Sequence, residues 1–185
     1  MSLRLHVLPH CVQVPERMTA GASGLDVFAS FEAGTAVTYY RADAHGPGRT
    51  VMPTPMHAGP PCPIVTLQPG DRYLIPLGVV VAVPEGFEVQ VRSRSGLALK
   101  RGLTVANSPG TVDSDYRGEV CAIVLNVGDV PRTIYRGDAI AQIVVCPVMM
   151  WAPVLVDDVA ELGETGRGGG GFGSTGSLAP RSVVG

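Results

Sequence analysis

Two carboxylates, Asp113 and Asp115, stand two residues apart in the segment N-S-P-G-T-V-D-S-D-Y-R-G-E, which runs from Asn107 to Glu119. Tyr116 follows the second acid directly. The turn formers Ser108-Pro109-Gly110 precede the first, and Gly118 comes after both. Thr111, Val112 and Tyr116 favour extended chain. In a strand, residues two apart point to one face, so the two acids are expected to share an orientation. One of them can then serve as an ionised base while the other makes structural hydrogen bonds. The same residues also suit a polar turn with two solvated acids.

Other segments carry groups suited to phosphate. Within V-R-S-R-S-G-L-A-L-K (Val91 to Lys100), Arg94-Ser95-Gly96 offers a guanidinium, a hydroxyl and an exposed amide together. If Gly96 opens a helical turn, its first amides attract anions; the alternative is a surface turn with an N-cap serine. Gln142 lies in the apolar run Ala139 to Val145 and must find a polar partner there. Asp26 follows Gly24 at a strand-like start and reads equally as a site acid or a structural one. Eight of the fourteen residues from Gly163 to Gly176 are glycine, the mark of a segment without a core of its own. Yet Arg167, Phe172, Ser174 and Thr175 are spaced within it like contacts, and a plain linker needs no lone phenylalanine. No cluster of His, Cys or Asp forms a protein-only metal site. None of His6, His10, His45 and His57 falls in a motif.

The elements that must position these groups are short. Apolar runs at Leu3–Leu8, Ile64–Leu67, Tyr73–Leu77, Val79–Val83, Val89–Val91, Val120–Asn126 and Ile140–Val148 are separated by turn signals such as Pro-Gly and Val-Gly-Asp. No long segment holds a 3.6-residue period, and the one expected helical turn is Gly96 to Lys100. Many short strands with regular turns predict an all-β sandwich or barrel. Six prolines between Pro47 and Pro63 predict that Thr35 to Pro63 is a long irregular insertion. A loop of that length is usually functional, and contact with a protein partner is one expectation for it. The expected organisation is a β domain over residues 1–162 and a flexible arm over 163–185.

Composition bounds the rest. A chain of 185 residues with 45% hydrophobic content supports one domain with a real core. A net charge of −2 argues against a general nucleic-acid binder. Thirteen of the fourteen basic residues are arginine, the side chain best suited to gripping phosphate. Cys121 and Cys146 lie in apolar runs and read as buried thiols; Cys11 and Cys62 form no metal spacing with them. The N-terminus does not read as a signal peptide, and no run of about 18 apolar residues predicts a membrane span. The expectation is a soluble, cytoplasmic protein.

Taken jointly, Val91–Lys100, Asn107–Glu119 and Arg167–Gly176 resemble the trimeric dUTPase family in order and approximate spacing. Two weaker matches, A-S-G-L-D-V at Ala22–Val27 and R-G-D-A-I-A-Q-I at Arg136–Ile143, complete the set. The resemblance implies a jelly-roll-like homotrimer that hydrolyses dUTP to dUMP and pyrophosphate, so clearing dUTP and supplying dUMP. It implies that Asp113 orders the water attacking the α-phosphorus, with Mg2+ held chiefly by the triphosphate and indirectly by Asp26. It places Arg94, Ser95 and Gly96 on the phosphates with Gln142 in support. Asn107 would bind the uracil edge, beside Gly110, Thr111 and Val112. Tyr116 would pack under the sugar and leave no room for a 2′-hydroxyl. The arm would close over the nucleotide and reach a neighbouring subunit's site, where Arg167 would grip the γ-phosphate, Phe172 would stack on uracil, Ser174 and Thr175 would bond phosphate oxygens, and Gly173 would also contact the substrate. Two departures stand out: the 35–63 insertion, and Ser93 where the family often has proline. A dCTP deaminase shares the fold, but it carries Arg-Ser-Ser and a glutamate in the following strand, whereas Val120 to Leu125 contains no acid. A regulatory protein that uses the insertion and takes nucleotide as its switch is the alternative of another class.

Overall fold

The structure, a computed structural model, describes residues 2–42, 48–55 and 62–171. The chain divides into two compact units, Met1–Met149 and Met150–Gly185. In the first unit the strands pair antiparallel throughout. One sheet runs in the order β4 (Arg49–Val51), β3 (Val37–Tyr40), β7 (Arg72–Ala82), β11 (Glu119–Asn126) and β9 (Leu103–Val105), with β1 (Arg4–Val7) also on β7. A second sheet runs β10 (Gly110–Val112), β8 (Phe87–Arg92), β13 (Ala139–Pro147), β2 (Leu25–Phe28). A third runs β12 (Arg132–Tyr135), β6 (Pro63–Leu67), β5 (Thr54–Pro55). The expected mostly-β architecture of short strands is what the chain forms.

The strands follow from β-branched residues in alternation. In β11, Val120, Ala122, Val124 and Asn126 are buried while their neighbours are half-exposed. They join Val27, Phe31, Leu67, Ile75, Leu77 and Ile143 in one hydrophobic core. Full burial of each large side chain there contributes about 1.5–3 kcal/mol. Asn126 ends the strand inside the core, and its amide is satisfied. Its Nδ2 donates to the carbonyls of Leu67 (3.0 Å) and Val130 (2.9 Å), and its Oδ1 accepts from the Gly128 amide at 3.0 Å. The runs Tyr73–Leu77 and Val79–Val83 prove to belong to one strand. Gly78 between them adopts φ 73°, and a Cβ there would sit 2.5 Å from the Cα of Cys11.

The insertion is more regular than expected. Over 35–63 the chain contributes β3, β4 and β5 and the first residue of β6. Val-Thr-Tyr-Tyr alternates well enough to pair with β7, where the rings of Tyr39 and Tyr73 stack at 4.9 Å. Proline is accommodated as its missing amide requires: Pro55 lies on the edge strand of its sheet and Pro63 at a strand start. Residues 43–47 and 56–61 of the insertion lie outside the described residues.

The one α-helix among the described residues, α1 (Ser95–Arg101), matches the expected helical turn with one residue added at each end. It stops at Gly102, whose φ of 62° is left-handed and whose amide bonds the Ala98 carbonyl. In the second unit a 3-10 turn, Val159–Leu162, is closed by a capping box between Asp158 and Glu161. No helix of the described residues is long and apolar enough to cross a membrane.

Candidate active site

The segment from Asn107 to Glu119, a hairpin-like connection whose flanking strands β10 and β11 belong to different sheets, is anchored at its start. In β10, Gly110, Thr111 and Val112 pair with Val91, Gln90 and Val89 of β8, and Val112 plugs into the core while Thr111 stays exposed. Beyond Val112 the chain leaves the sheet and turns, closed by a bond from the Tyr116 amide to the Asp113 carbonyl at 3.2 Å. This corrects the expectation of strand alternation. Asp113 and Asp115 sit in an exposed turn, because Asp113-Ser114-Asp115 are turn formers with no β8 partner to hold them extended. Among the described residues, neither carboxylate has a hydrogen-bond or ion-pair partner. Arg117 instead donates to the carbonyls of Ser114 and Tyr116, at 2.7 and 2.6 Å.

Tyr116 is folded back onto its own turn. Its hydroxyl donates to the Glu119 carbonyl at 3.0 Å. Gly118 lies beneath the ring, and a Cβ there would strike the tyrosine hydroxyl. Asn107, Gly110, Thr111, Val112, Asp113 and Tyr116 line one cavity of about 240 Å3, whose apolar wall includes Leu74, Val91 and Ile123. Cys121 reaches this cavity too. It is half-buried rather than fully so, and burial, with the Glu119 carboxylate second, pushes its thiol up to about 12. It is therefore a neutral thiol at physiological pH and no nucleophile.

A second cavity, of about 520 Å3, collects Asp26, Arg94, Ser95, Gly96 and Gln142. Arg94 is held at both ends: Nη1 donates to the Ala139 carbonyl at 2.7 Å and Nη2 meets Asp26 Oδ2 at 2.8 Å. With about a third of the arginine exposed, that ion pair contributes at most about 1 kcal/mol, so its effect is orientation. Asp26 enters through β2, whose register sets it opposite Gln142 of β13. Gln142 has the partner it requires, donating from Nε2 to the Ser93 carbonyl at 3.0 Å. A side chain on Gly24 would collide with its amide. Arg94 occupies the N-cap position of α1 and no side chain caps the helix. The Ser95 hydroxyl thus has no protein partner among the described residues, and the N-cap alternative for it does not hold.

Ser93 emerges as a residue that sequence reasoning undervalued. Its hydroxyl pairs with Thr104 Oγ1 at 2.7 Å and accepts from the Val105 amide at 2.9 Å. Its own amide donates to the Ser108 hydroxyl at 3.3 Å. Proline at this position would lack that amide. The signal for it was the departure from the family pattern.

The two cavities share no lining residue. The β8 register explains why. Val112 lies opposite Val89, so Asp113 emerges toward the start of β8, whereas Arg94 follows its end. The six residue steps from Glu88 to Arg94 span roughly 20 Å at about 3.3 Å per extended residue. One chain therefore gathers the phosphate-suited residues at one place and Asp113, Tyr116 and Asn107 at another. Arg167 is exposed, with its Nε bonded to the Gly170 carbonyl at 2.7 Å inside the second unit. Phe172, Gly173, Ser174 and Thr175 lie outside the described residues.

No three His, Cys, Asp or Glu side chains converge as a metal cluster among the described residues. Asp26 is the carboxylate in the larger cavity, and one of its oxygens is taken by Arg94. That donor set fits a magnesium ion held mainly by phosphate oxygens and touched through water.

Comparison with known proteins bears on the family and the fold. Residues 63–176 match the dUTPase family model. The chain is 44% identical over 165 residues to the deoxyuridine 5'-triphosphate nucleotidohydrolase of Rhizobium rhizogenes, covering 89% of this chain and 86% of that one. It is 40% identical over 181 residues to the protein of the same name from Methylocella silvestris, covering 97% and 94%. In fold it is similar to the dUTPase of Staphylococcus bacteriophage 80alpha solved with dUPNHPP, with a TM-score of 0.70 at 22% identity over 95% of this chain and 99% of that one. It is also similar, with a TM-score of 0.62 at 20% identity over 85% and 97–98% of the two chains' lengths, to phage phi11 dUTPase, one structure of which concerns the coordination of a structural Mg(II) ion.

Proposed function

The chain belongs to the dUTPase family, and from that premise we propose how its residues carry out the hydrolysis of dUTP to dUMP and pyrophosphate. The enzyme is a dUTP diphosphatase. The observation that carries the residue assignment is the small cavity that unites Asn107, Asp113 and Tyr116 on one hairpin.

Asp113 is the general base. Its carboxylate is exposed at that cavity and unpaired among the described residues, as a group waiting for a ligand must be. It takes a proton from a water that attacks the α-phosphorus; the bond from that phosphorus to the bridging oxygen breaks and pyrophosphate leaves. Asn107 and the backbone of Gly110–Val112 read the base, and Tyr116 closes the space a 2′-hydroxyl would need. Arg94, the free Ser95 hydroxyl and Gly96 receive phosphate oxygens. Gln142 holds the Ser93 carbonyl next to them. When bound with the nucleotide, Mg2+ neutralises phosphate charge, with Asp26 and the phosphate oxygens around it.

Asp113 and Arg94 lie six residue steps apart along β8, roughly 20 Å, and that distance between base and phosphate-suited arginine supports a site assembled from more than one copy. The jelly-roll homotrimer of the family provides such an assembly. In it the arm residues Arg167, Phe172, Gly173, Ser174 and Thr175 complete the site as a closing lid.

The test is product analysis of the purified protein with magnesium and dUTP, beside UTP, dCTP and dTTP. Conversion of dUTP alone to dUMP and pyrophosphate is expected. Equal turnover of UTP would remove Tyr116 from its role, and deaminated product from dCTP would overturn the reaction.

A further inference from the structure

We propose that Glu119 and His10 are positioning residues that hold Tyr116 in place and so set discrimination at the sugar. The inference rests on the proposed role of Tyr116 and extends it to Glu119, the last residue of its segment, and to His10, which lies in no motif; neither was given a role by the sequence.

The ladder between β11 and β7 slips at the end of the hairpin. Glu119 lies opposite Val80, yet Cys121 lies opposite Pro76. At the slip stands Gly78, with its φ of 73°. Its amide donates to Glu119 Oε1 at 2.8 Å, so a side chain fills the gap that the backbone ladder leaves. The same oxygen lies 2.8 Å from His10 Nε2. His10 is itself fixed, because its carbonyl accepts from Arg136 Nη2 at 3.1 Å. One carboxylate oxygen therefore ties three separate segments: the hairpin exit, the middle of β7 and the turn after β1.

The other end of the same residue touches the cavity. The Glu119 carbonyl is the acceptor for the Tyr116 hydroxyl. Glu119 lines the cavity that holds Tyr116 and Asp113, and also a second hollow of about 230 Å3 that His10 lines from behind; Leu74 and Cys121 are common to both. Its side chain is 26% exposed and that of His10 is 27%. Holding a carboxylate out of water at a bulge costs desolvation that an apolar residue would avoid. The arrangement makes sense where a fixed backbone position matters more than stability. If the tie is lost, the Glu119 carbonyl shifts, the tyrosine hydroxyl follows, and the ring no longer closes the space beside the ribose.

The experiment measures kcat and KM for dUTP and UTP in the full-length enzyme and in Glu119→Ala, Glu119→Gln and His10→Ala, with melting temperatures alongside. Glu119→Ala is expected to lower the dUTP-to-UTP ratio of kcat/KM by about tenfold or more, the scale on which a misplacement of about 1 Å acts. Glu119→Gln keeps an oxygen for the Gly78 amide and should restore most of the ratio. His10→Ala should fall between the two. A wild-type ratio in both alanine variants would overturn the proposal. If Glu119→Ala does not fold, His10→Ala decides, since it leaves the bulge filled: a lowered ratio supports positioning and an unchanged one refutes it. Hydrolysis of dUTP by the parent chain in the same assay tests the underlying function separately.

Discussion

The two cavities are built in opposite ways. The phosphate-suited cavity draws Asp26, Arg94 and Gln142 from β2, the start of α1 and β13, and pins each side chain to another: Arg94 to Asp26, Gln142 to the Ser93 carbonyl. The hairpin cavity draws nearly all its polar groups from one local stretch and leaves the Asp113 carboxylate unpaired among the described residues. The first is organised before any ligand arrives; the second keeps its reactive group free. A reaction in which charge must be received at fixed points, while one base must accept a proton, needs that division.

The comparison breaks most visibly at Asp113. Asp113→Asn should lower kcat by about 10²–10⁴-fold, the usual worth of a general base, while binding of a non-hydrolysable dUTP analogue by calorimetry stays close to the parent value. Near-normal turnover would mean that the hairpin only binds. Next comes the physical separation of the two regions. Arg94→Ala should also be severely impaired, and mixing it with Asp113→Asn under conditions that exchange subunits should recover activity, because a hybrid site then holds both intact halves. Failure to recover, with exchange verified by mass, would place both halves in one chain. A smaller effect is expected from Gln142→Ala, which removes one hydrogen bond worth about 1 kcal/mol and so raises KM about fivefold with kcat little changed; a fall in kcat instead would make the phosphate region part of the chemistry.

The smallest effect concerns alkaline stability. Burial first, then the Asp71 carboxylate, pushes the Tyr73 hydroxyl up to about 12, and the Cys121 thiol rises to the same value. Both groups lose their protons more readily in the unfolded chain. The stability they retain below pH 9 therefore declines as pH rises from about 9, the ordinary thiol value, towards 12. Melting temperature followed over that range should fall less steeply in Cys121→Ala than in the parent; parallel curves would show that the thiol plays no part.

The hairpin cavity was largely legible in the sequence, since its residues are neighbours in the chain and turn formers announce the bend. Even there, strand preference at Thr111 and Val112 misled: pairing with β8 ends at Val112, and the acids turn out into solvent. The helical turn was legible because Gly96 to Lys100 holds no β-branched residue. The pairings of Arg94 with Asp26, Gln142 with Ser93 and His10 with Glu119 were not, because 68, 49 and 109 residues separate the partners. Only the folded register brings them together. The strands inside the insertion were hidden by proline, whose effect depends on whether it lies at a sheet edge, and sequence does not mark edges.

The pairing of Arg94 with Asp26 also bears on what happens after cleavage. An arginine with a carboxylate already 2.8 Å away takes up an anion by exchange, and the displaced carboxylate stays beside it as a competitor. In the role proposed for Arg94, departure of pyrophosphate would give the guanidinium back to a partner that never left. The resident acid would then weaken the grip on substrate and product alike, and in a catalyst that must clear a multiply charged leaving group each cycle, that weakness would favour turnover.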